Sequence, residues 1–151
     1  MISSHETWVA AAVAPPGIVF AREEGRLDPV EYTDLVRHSG LGRPVNDAAR
    51  MAALLAGSNL VVTARAATAG GRLVGAARSL SDFAYCCYLS DLCVDPAFQG
   101  QGIGRALIGE TKRIIGPQSM LLLLSSRDAM SYYPRIAMEL VNNGFVIRRD
   151  S

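Results

Sequence analysis

The sequence predicts a mixed-sheet α/β domain with the element order β-α-α-β-β-β-α-β-α-β. Three observations carry this prediction. Helical patterns with clear caps alternate with short apolar runs. Two strand-like runs bracket the turn TAGG, Thr68–Gly71, as a hairpin would. The run AYCCYLSDLCV, Ala84–Val94, is apolar on both faces, as a central strand is, and leads through a glycine-rich stretch into a helix.

The elements follow in order. Residues 1–17, ending in APPG, read as an irregular N-terminal extension, and 18–151 as a single domain. Within the extension, WVAAAVA (Trp8–Ala14) is preceded by Glu6 and not by a basic segment, so a signal peptide is not expected. IVFAREE (Ile18–Glu24) is a short strand closed by Gly25. In LDPVEYTDLVRHSGL, Asp28 is the N-cap, Pro29 opens the helix, Glu31 stands at the third position as in a capping box, and Gly40 ends it. VNDAARMAALLAG is a second helix capped by Asn46 or Asp47 and closed by Gly57. NLVVTARAA and GRLVGAARSL form the hairpin. After the glycines, Ile103, Ala106, Leu107, Thr111 and Ile114 share one helical face, and Gly116-Pro117 stops that helix. SMLLLLS is a buried strand. RDAMSYYPRI is a short helix that Asp128 could cap and Pro134 interrupts, and NNGFVIRRD is a last strand.

Composition bounds the partners. The chain has 151 residues, half of them hydrophobic and 19% charged, with a net charge of +1. That balance suits a compact globule and gives no reason to expect a nucleic-acid partner. No apolar run approaches the roughly 18 residues of a membrane span, so no membrane partner is expected. Cys86, Cys87 and Cys93 have no C-x-x-C spacing and read as small buried residues in a reducing, cytoplasmic compartment. His5 and His38 are far apart, so no metal site is expected.

The stretch DPAFQGQGIGRAL (Asp95–Leu107) raises the functional question. A strand feeding a glycine loop and then a helix builds an anion site, because the first helical turn has unpaired N–H groups and partial positive charge. A dinucleotide fingerprint starting at Gly100 would need glycine where Arg105 stands, and one starting at Gly102 would need it at Leu107. A P-loop would need G-K-[ST], which is absent. What remains is Gln99-Gly100-Gln101-Gly102-Ile103-Gly104, of the form Q/R-x-x-G-x-G/A.

With its flanks, LCVDPAFQGQGIGRAL, and with AMSYYPRIAM (Ala129–Met138) downstream, the sequence resembles the GCN5-related N-acetyltransferases over roughly residues 18–149. The second segment looks like that family's A-x-x-F-Y-x-x-x-G-F. Ala137 stands where the family has Gly, Met138 where it has Phe, and Gln99 where Arg is common. Ala137 would be strained if its backbone needs a positive φ.

The resemblance implies a mostly antiparallel central sheet flanked by helices, with acetyl-CoA as cosubstrate and no metal. It implies direct transfer of an acetyl group to a primary amine of a small molecule in a ternary complex. The alternatives are a non-catalytic acyl-CoA sensor and a protein or peptide acetyltransferase. It assigns the coenzyme A pyrophosphate to Gln99, Gly100, Gln101, Gly102, Ile103, Gly104 and Arg105, and the pantetheine and oxyanion to backbone groups of Leu92, Cys93 and Val94. It makes Tyr133 the acid that protonates the departing thiolate, with Tyr132 as packing.

A free alkylamine is mostly protonated at pH 7, leaving roughly one molecule in a few thousand as a nucleophile, so the site must also accept a proton. Asp91, in an otherwise apolar strand, is the candidate base. Its alternatives are a structural hydrogen bond to backbone, Tyr85 or Tyr88, or a water relay in its place. Glu23, Glu24 and Asp34 are candidates for binding a cationic acceptor or for a solvated surface. The C-terminal edge, ending FVIRRDS, reads as uncovered, and a homodimer is expected along it.

Overall fold

The computed structural model describes all 151 residues. Five strands form one sheet in the order β1-β2-β3-β4-β5: β1 Ile18–Arg22, β2 Leu60–Ala66, β3 Arg72–Ser81, β4 Cys86–Val94 and β5 Met120–Leu122. The first four pair antiparallel in chain order, and β5 returns parallel to β4. That return needs a crossover. It is made by α4, Ile103–Ile115.

Two cores follow from the strand period of two. On one face lie α2 (Pro29–Ser39) and α3 (Ala48–Ala56), where Tyr32, Leu35, Val36, Met51 and Leu55 pack on Val61, Leu73, Ala76 and Cys93. On the other, Ile103, Leu107, Ile108 and Ile115 of α4 pack on Leu60, Val62, Ala64, Val74, Ala77, Cys87 and Leu89. The caps of α2 and α3 are those expected. Asp28 accepts from the Val30 amide at 3.0 Å, Gly40 closes α2 at φ 77°, and Asp47 accepts from the Arg50 amide at 3.0 Å. Glu31 does not complete a capping box; it pairs with Arg65 at 2.7 Å.

Three expectations are corrected. The N-terminal extension is not irregular. Ser4–Ala10 forms α1 under a full Ser3–Glu6 capping box and lies across α4, so close that a Cβ on Gly109 would stand 2.6 Å from the Trp8 carbonyl oxygen. The strand in SMLLLLS is only three residues long and part-exposed. Residues 137–151 contain no strand, and Phe145 and Ile147 are fully exposed. The observed order is therefore α-β-α-α-β-β-β-α-β-α, and the free sheet edges are β1 and β5.

Both faces of β4 are apolar for a specific reason. Arg78 pairs with Asp91 but Ser79 with Leu89, so Ser90 is an extra residue in the strand. This bulge reverses the alternation. Cys87 and Leu89 face α4 before it, and Leu92 and Val94 do so after it. Asp91 and Cys93 are thereby turned toward α2 and α3.

Candidate active site

Beyond the bulge, β4 has lost its partner on one side. The β4–β5 ladder ends at Tyr88↔Leu122, while β4 continues to Val94. A bulge bends its strand and increases the local twist, which accounts for the separation two residues before Ser90. Between the separated ends lies a cleft of about 210 Å³. Its walls are Leu92, Cys93 and Val94 of β4, Ser39–Leu41 at the end of α2, Gln99, and Ser126 and Asp128 after β5. Gln99 donates its amide to the Val94 carbonyl at 3.0 Å, which ties the glycine loop to the end of the strand.

The loop itself explains two of its three glycines by conformation. Gly100 and Gly102 have φ of 78° and 85°, and a Cβ on either would meet nothing within 4 Å. What they supply is therefore the left-handed backbone and not room for a neighbour. Gly102 is the N-cap of α4 and offers no capping side chain, so the first amides of the helix, Ile103, Gly104 and Arg105, have no side-chain acceptor from the cap. Gly104 is different. A Cβ there would stand 2.9 Å from the Tyr132 hydroxyl, so the ring of Tyr132 rests on the first turn of α4.

Tyr132 and Tyr133 lie on the single turn α5, Tyr132–Arg135, with ring centroids 5.2 Å apart and edge to face. Tyr133 packs against the core on the α4 side. Burial pushes both phenols above their ordinary pKa, so both carry their protons at neutral pH; the charge and main chain of Arg105 oppose the shift at Tyr132. Ala137 closes this turn at φ 68°. The Ala137 amide donates to the Pro134 carbonyl and the Met138 amide to the Tyr133 carbonyl, both at 3.1 Å, the paired bonds of a Schellman motif. This is the position where the family has glycine.

Asp91 does not lie open to the cleft. It is fully buried, and its partners are not Tyr85 or Tyr88, which are exposed. It accepts from Arg78 Nε at 2.6 Å, Arg43 Nε at 2.6 Å and the Tyr32 hydroxyl at 2.5 Å. Burial raises its pKa, but the two guanidiniums and Tyr32 outweigh that and hold it below the ordinary carboxylate value. A carboxylate so engaged is a poor proton acceptor, and the geometry makes it a structural hub in place of a base. Arg43 also donates to the Ser90 carbonyl at 2.6 Å, so the loop after α2 is clamped onto the bulge.

The other acidic candidates have partners too. Glu23 pairs with Arg65 at 2.9 Å and accepts from Thr63, Glu24 pairs with Arg22, and Asp34 pairs with Arg37 at 2.8 Å. Cys87 and Cys93 are buried while Cys86 is exposed; burial pushes the Cys93 thiol to about 12. Asp128, read from sequence as a helix cap, makes no cap and lines the cleft instead. No signal in the sequence distinguished these two roles, since both suit an Asp before a short helix.

A sheet that splays beside an uncapped helix N-terminus, with a glycine loop between, is a mixed α/β architecture with an open anion-binding helix start. The pattern described as "Acetyltransferase (GNAT) domain" matches residues 56–136, and the chain belongs to that family. The chain is 34% identical over 70 residues to "Histone acetyltransferase TAP1" of Glycine max, a match covering 45% of this chain and 30% of that protein. It is 26% identical over 174 residues to "GCN5-related N-acetyltransferase 2, chloroplastic" of Arabidopsis thaliana, covering 84% and 67%. The match thus spans less than a third of the length of the soybean relative.

Solved structures share the fold. A GNAT-family acetyltransferase of Streptococcus pneumoniae superposes with TM-score 0.65 at 21% identity, covering 89% of this chain and 99% of that one. The aminoglycoside N-acetyltransferase AAC(6')-Iy, solved in complex with CoA, superposes with TM-score 0.64 at 17% identity, covering 92% and 100%. No helix of the chain is long and apolar enough to cross a membrane.

Proposed function

We propose that the chain transfers an acetyl group from acetyl-CoA directly to a primary amine of a small molecule, both substrates being bound together. The observation that carries this reading is the cleft at the free end of β4, joined by Gln99 to the uncapped start of α4. The amides of Ile103, Gly104 and Arg105 would receive the pyrophosphate at the positive end of the helix dipole. The pantetheine amides would run along Leu92–Val94 as a further strand, which brings the thioester to the cleft. The amine nitrogen attacks the thioester carbon, the carbonyl oxygen becomes an oxyanion facing strand amides, and the C–S bond breaks as that oxygen reforms its double bond. Tyr133 gives its proton to the thiolate and regains one, through water, from the amine that has become an amide.

A cleft of about 210 Å³ favours a compact acceptor over a peptide, although the soybean relative is named for histone. The unpaired edge of β5 would receive a second copy as a homodimer, and the three free cysteines suit a cytoplasmic setting. The test is thiol release from acetyl-CoA with a panel of primary amines, alongside calorimetry with coenzyme A. Release that depends on both substrates is expected. Coenzyme A binding without release on any amine, amino acid or peptide would assign the fold to sensing instead.

A further inference from the structure

The cleft at the end of β4 has one carboxylate in its walls, Asp128. Asp128 follows Ser126, the residue that begins the turn, and its carboxylate takes part in no cap and no ion pair. The C-terminal end of α2, Ser39-Gly40-Leu41, also lines the cleft, and there the helix dipole contributes partial negative charge. No basic side chain lines the cleft; Arg127, beside Asp128, lies outside its lining. Arg37 is held by Asp34, and Arg43 is turned inward to Asp91 and the Ser90 carbonyl. The lining therefore carries one carboxylate and a helix C-terminus and no basic side chain, with the neutral strand end beside them.

Resting on the acetyl-transfer reading above, we infer that Asp128 binds a second cationic group of the acceptor, so that the preferred acceptor is a compact molecule bearing two ammonium groups. The reacting nitrogen itself is a poor partner for Asp128. A neighbouring carboxylate stabilises the ammonium form, and an ammonium has no lone pair with which to attack. A second ammonium on the same molecule has no such conflict. Held at Asp128, it orients the neutral nitrogen toward the thioester at Leu92–Val94, and the carboxylate selects the acceptor without entering the chemistry.

The experiment compares 1,4-diaminobutane with n-butylamine, which share a four-carbon chain and differ in the second cation. In the wild type, kcat/KM for the diamine is expected to exceed that for the monoamine by about tenfold, the worth of one charge-assisted hydrogen bond. Asp128→Asn should remove that difference, lowering kcat/KM for the diamine about tenfold more than for n-butylamine. Asp128→Glu should restore part of it, and added salt should narrow it in the wild type.

Equal use of both amines by the wild type overturns the inference and leaves the acetyl-transfer reading standing. An equal loss on both amines in Asp128→Asn also overturns it, since that marks a group acting on the reacting nitrogen or on the fold. A wild type that binds acetyl-CoA but accepts neither amine overturns it as well, and one that does not bind acetyl-CoA overturns both readings.

Discussion

Arg78 Nε donates to Asp91 Oδ2 across 2.6 Å where the β3–β4 register slips by one residue, and the two side chains are 7% and 0% exposed. The same guanidinium donates to the Ser58 hydroxyl, the Leu54 carbonyl and the Ser90 hydroxyl. One ion pair therefore joins the end of α3 to the bulge that opens the cleft. Removing one partner of a buried pair leaves the other uncompensated, at a cost of about 3–5 kcal/mol. Asp91→Ala is expected to destabilise the fold by that order, measured as a lowered urea midpoint. Loss of turnover in a variant of wild-type stability would instead return Asp91 to the chemistry.

The same cluster sets the pH limits of stability. The Asp91 pKa is lowered in the fold, so its contribution is present in full above the ordinary carboxylate value and is lost as pH falls through the lowered one. Tyr32 is raised well above 10 by burial, with Cys93 and Asp91 adding to the shift. Its contribution is present in full below pH 10 and is lost as pH rises toward the raised value. Urea midpoints across pH are expected to fall at both extremes, and Tyr32→Phe should flatten the alkaline limb most while making the acid limb shallower, because Asp91 loses one of its donors. An unchanged alkaline limb in that variant would remove Tyr32 from the account.

Ala137 holds a left-handed backbone at the close of α5 without the residue that tolerates it. Such a conformation costs about 1–2 kcal/mol outside glycine, and glycine returns part of that as chain entropy. Ala137→Gly is expected to gain about 0.5–1 kcal/mol, a rise of a few degrees in Tm for a chain of this size. A lowered Tm would show that φ 68° is not strained here.

Gly102 gives a charge test of the loop. A Cβ at Gly102 meets nothing, so a side chain there costs backbone strain and not a clash. Asn and Asp tolerate the left-handed region best and have nearly the same shape. Gly102→Asn and Gly102→Asp should therefore lose similar stability, while Asp alone sets a negative charge against a pyrophosphate. Calorimetry with coenzyme A is expected to show at least about tenfold weaker binding for Asp than for Asn. Equal affinities would move the pyrophosphate elsewhere.

What the sequence disclosed is local. Asp28, Pro29, Gly40 and Gly57 mark α2 and α3 because caps act within one turn, and the glycine loop was legible because Gly100 and Gly102 answer to their own φ. The bulge was not legible. An extra Ser90 leaves β4 apolar on both faces, which is also how an ordinary central strand reads. The partners of Asp91 were hidden for a related reason, since Tyr32, Arg43 and Arg78 reach it from 59, 48 and 13 residues away. Helix α1 is not legible although Ser3 and Glu6 spell a capping box, because its few apolar residues pack chiefly on α4, a contact no local pattern reveals. The last strand was over-read, its alternation pointing to a pairing that residues 137–151 do not make.

The two tyrosines of α5 separate binding from chemistry. The Tyr132 hydroxyl rests on Gly104 at the start of α4, against the amides proposed to hold the pyrophosphate, whereas Tyr133 packs on the core beside it. Tyr132→Phe is therefore expected to change the affinity for coenzyme A more than kcat. Tyr133→Phe keeps the ring and its packing but loses the proton. General acid catalysis is worth about 10²–10⁴-fold, so kcat should fall within that range while coenzyme A affinity holds. Burial has already raised the Tyr133 pKa, so the acid form persists through neutral pH, and loss of this proton should not lower the wild-type kcat until pH passes the ordinary phenol value. If Tyr133→Phe turns over at the wild-type rate across that range, the thiolate takes its proton from water and Tyr133 is a core aromatic. Equal kcat losses in both variants would point to a disturbed α5 turn, which Ala137→Gly, by relieving the turn's closing residue, should partly repair.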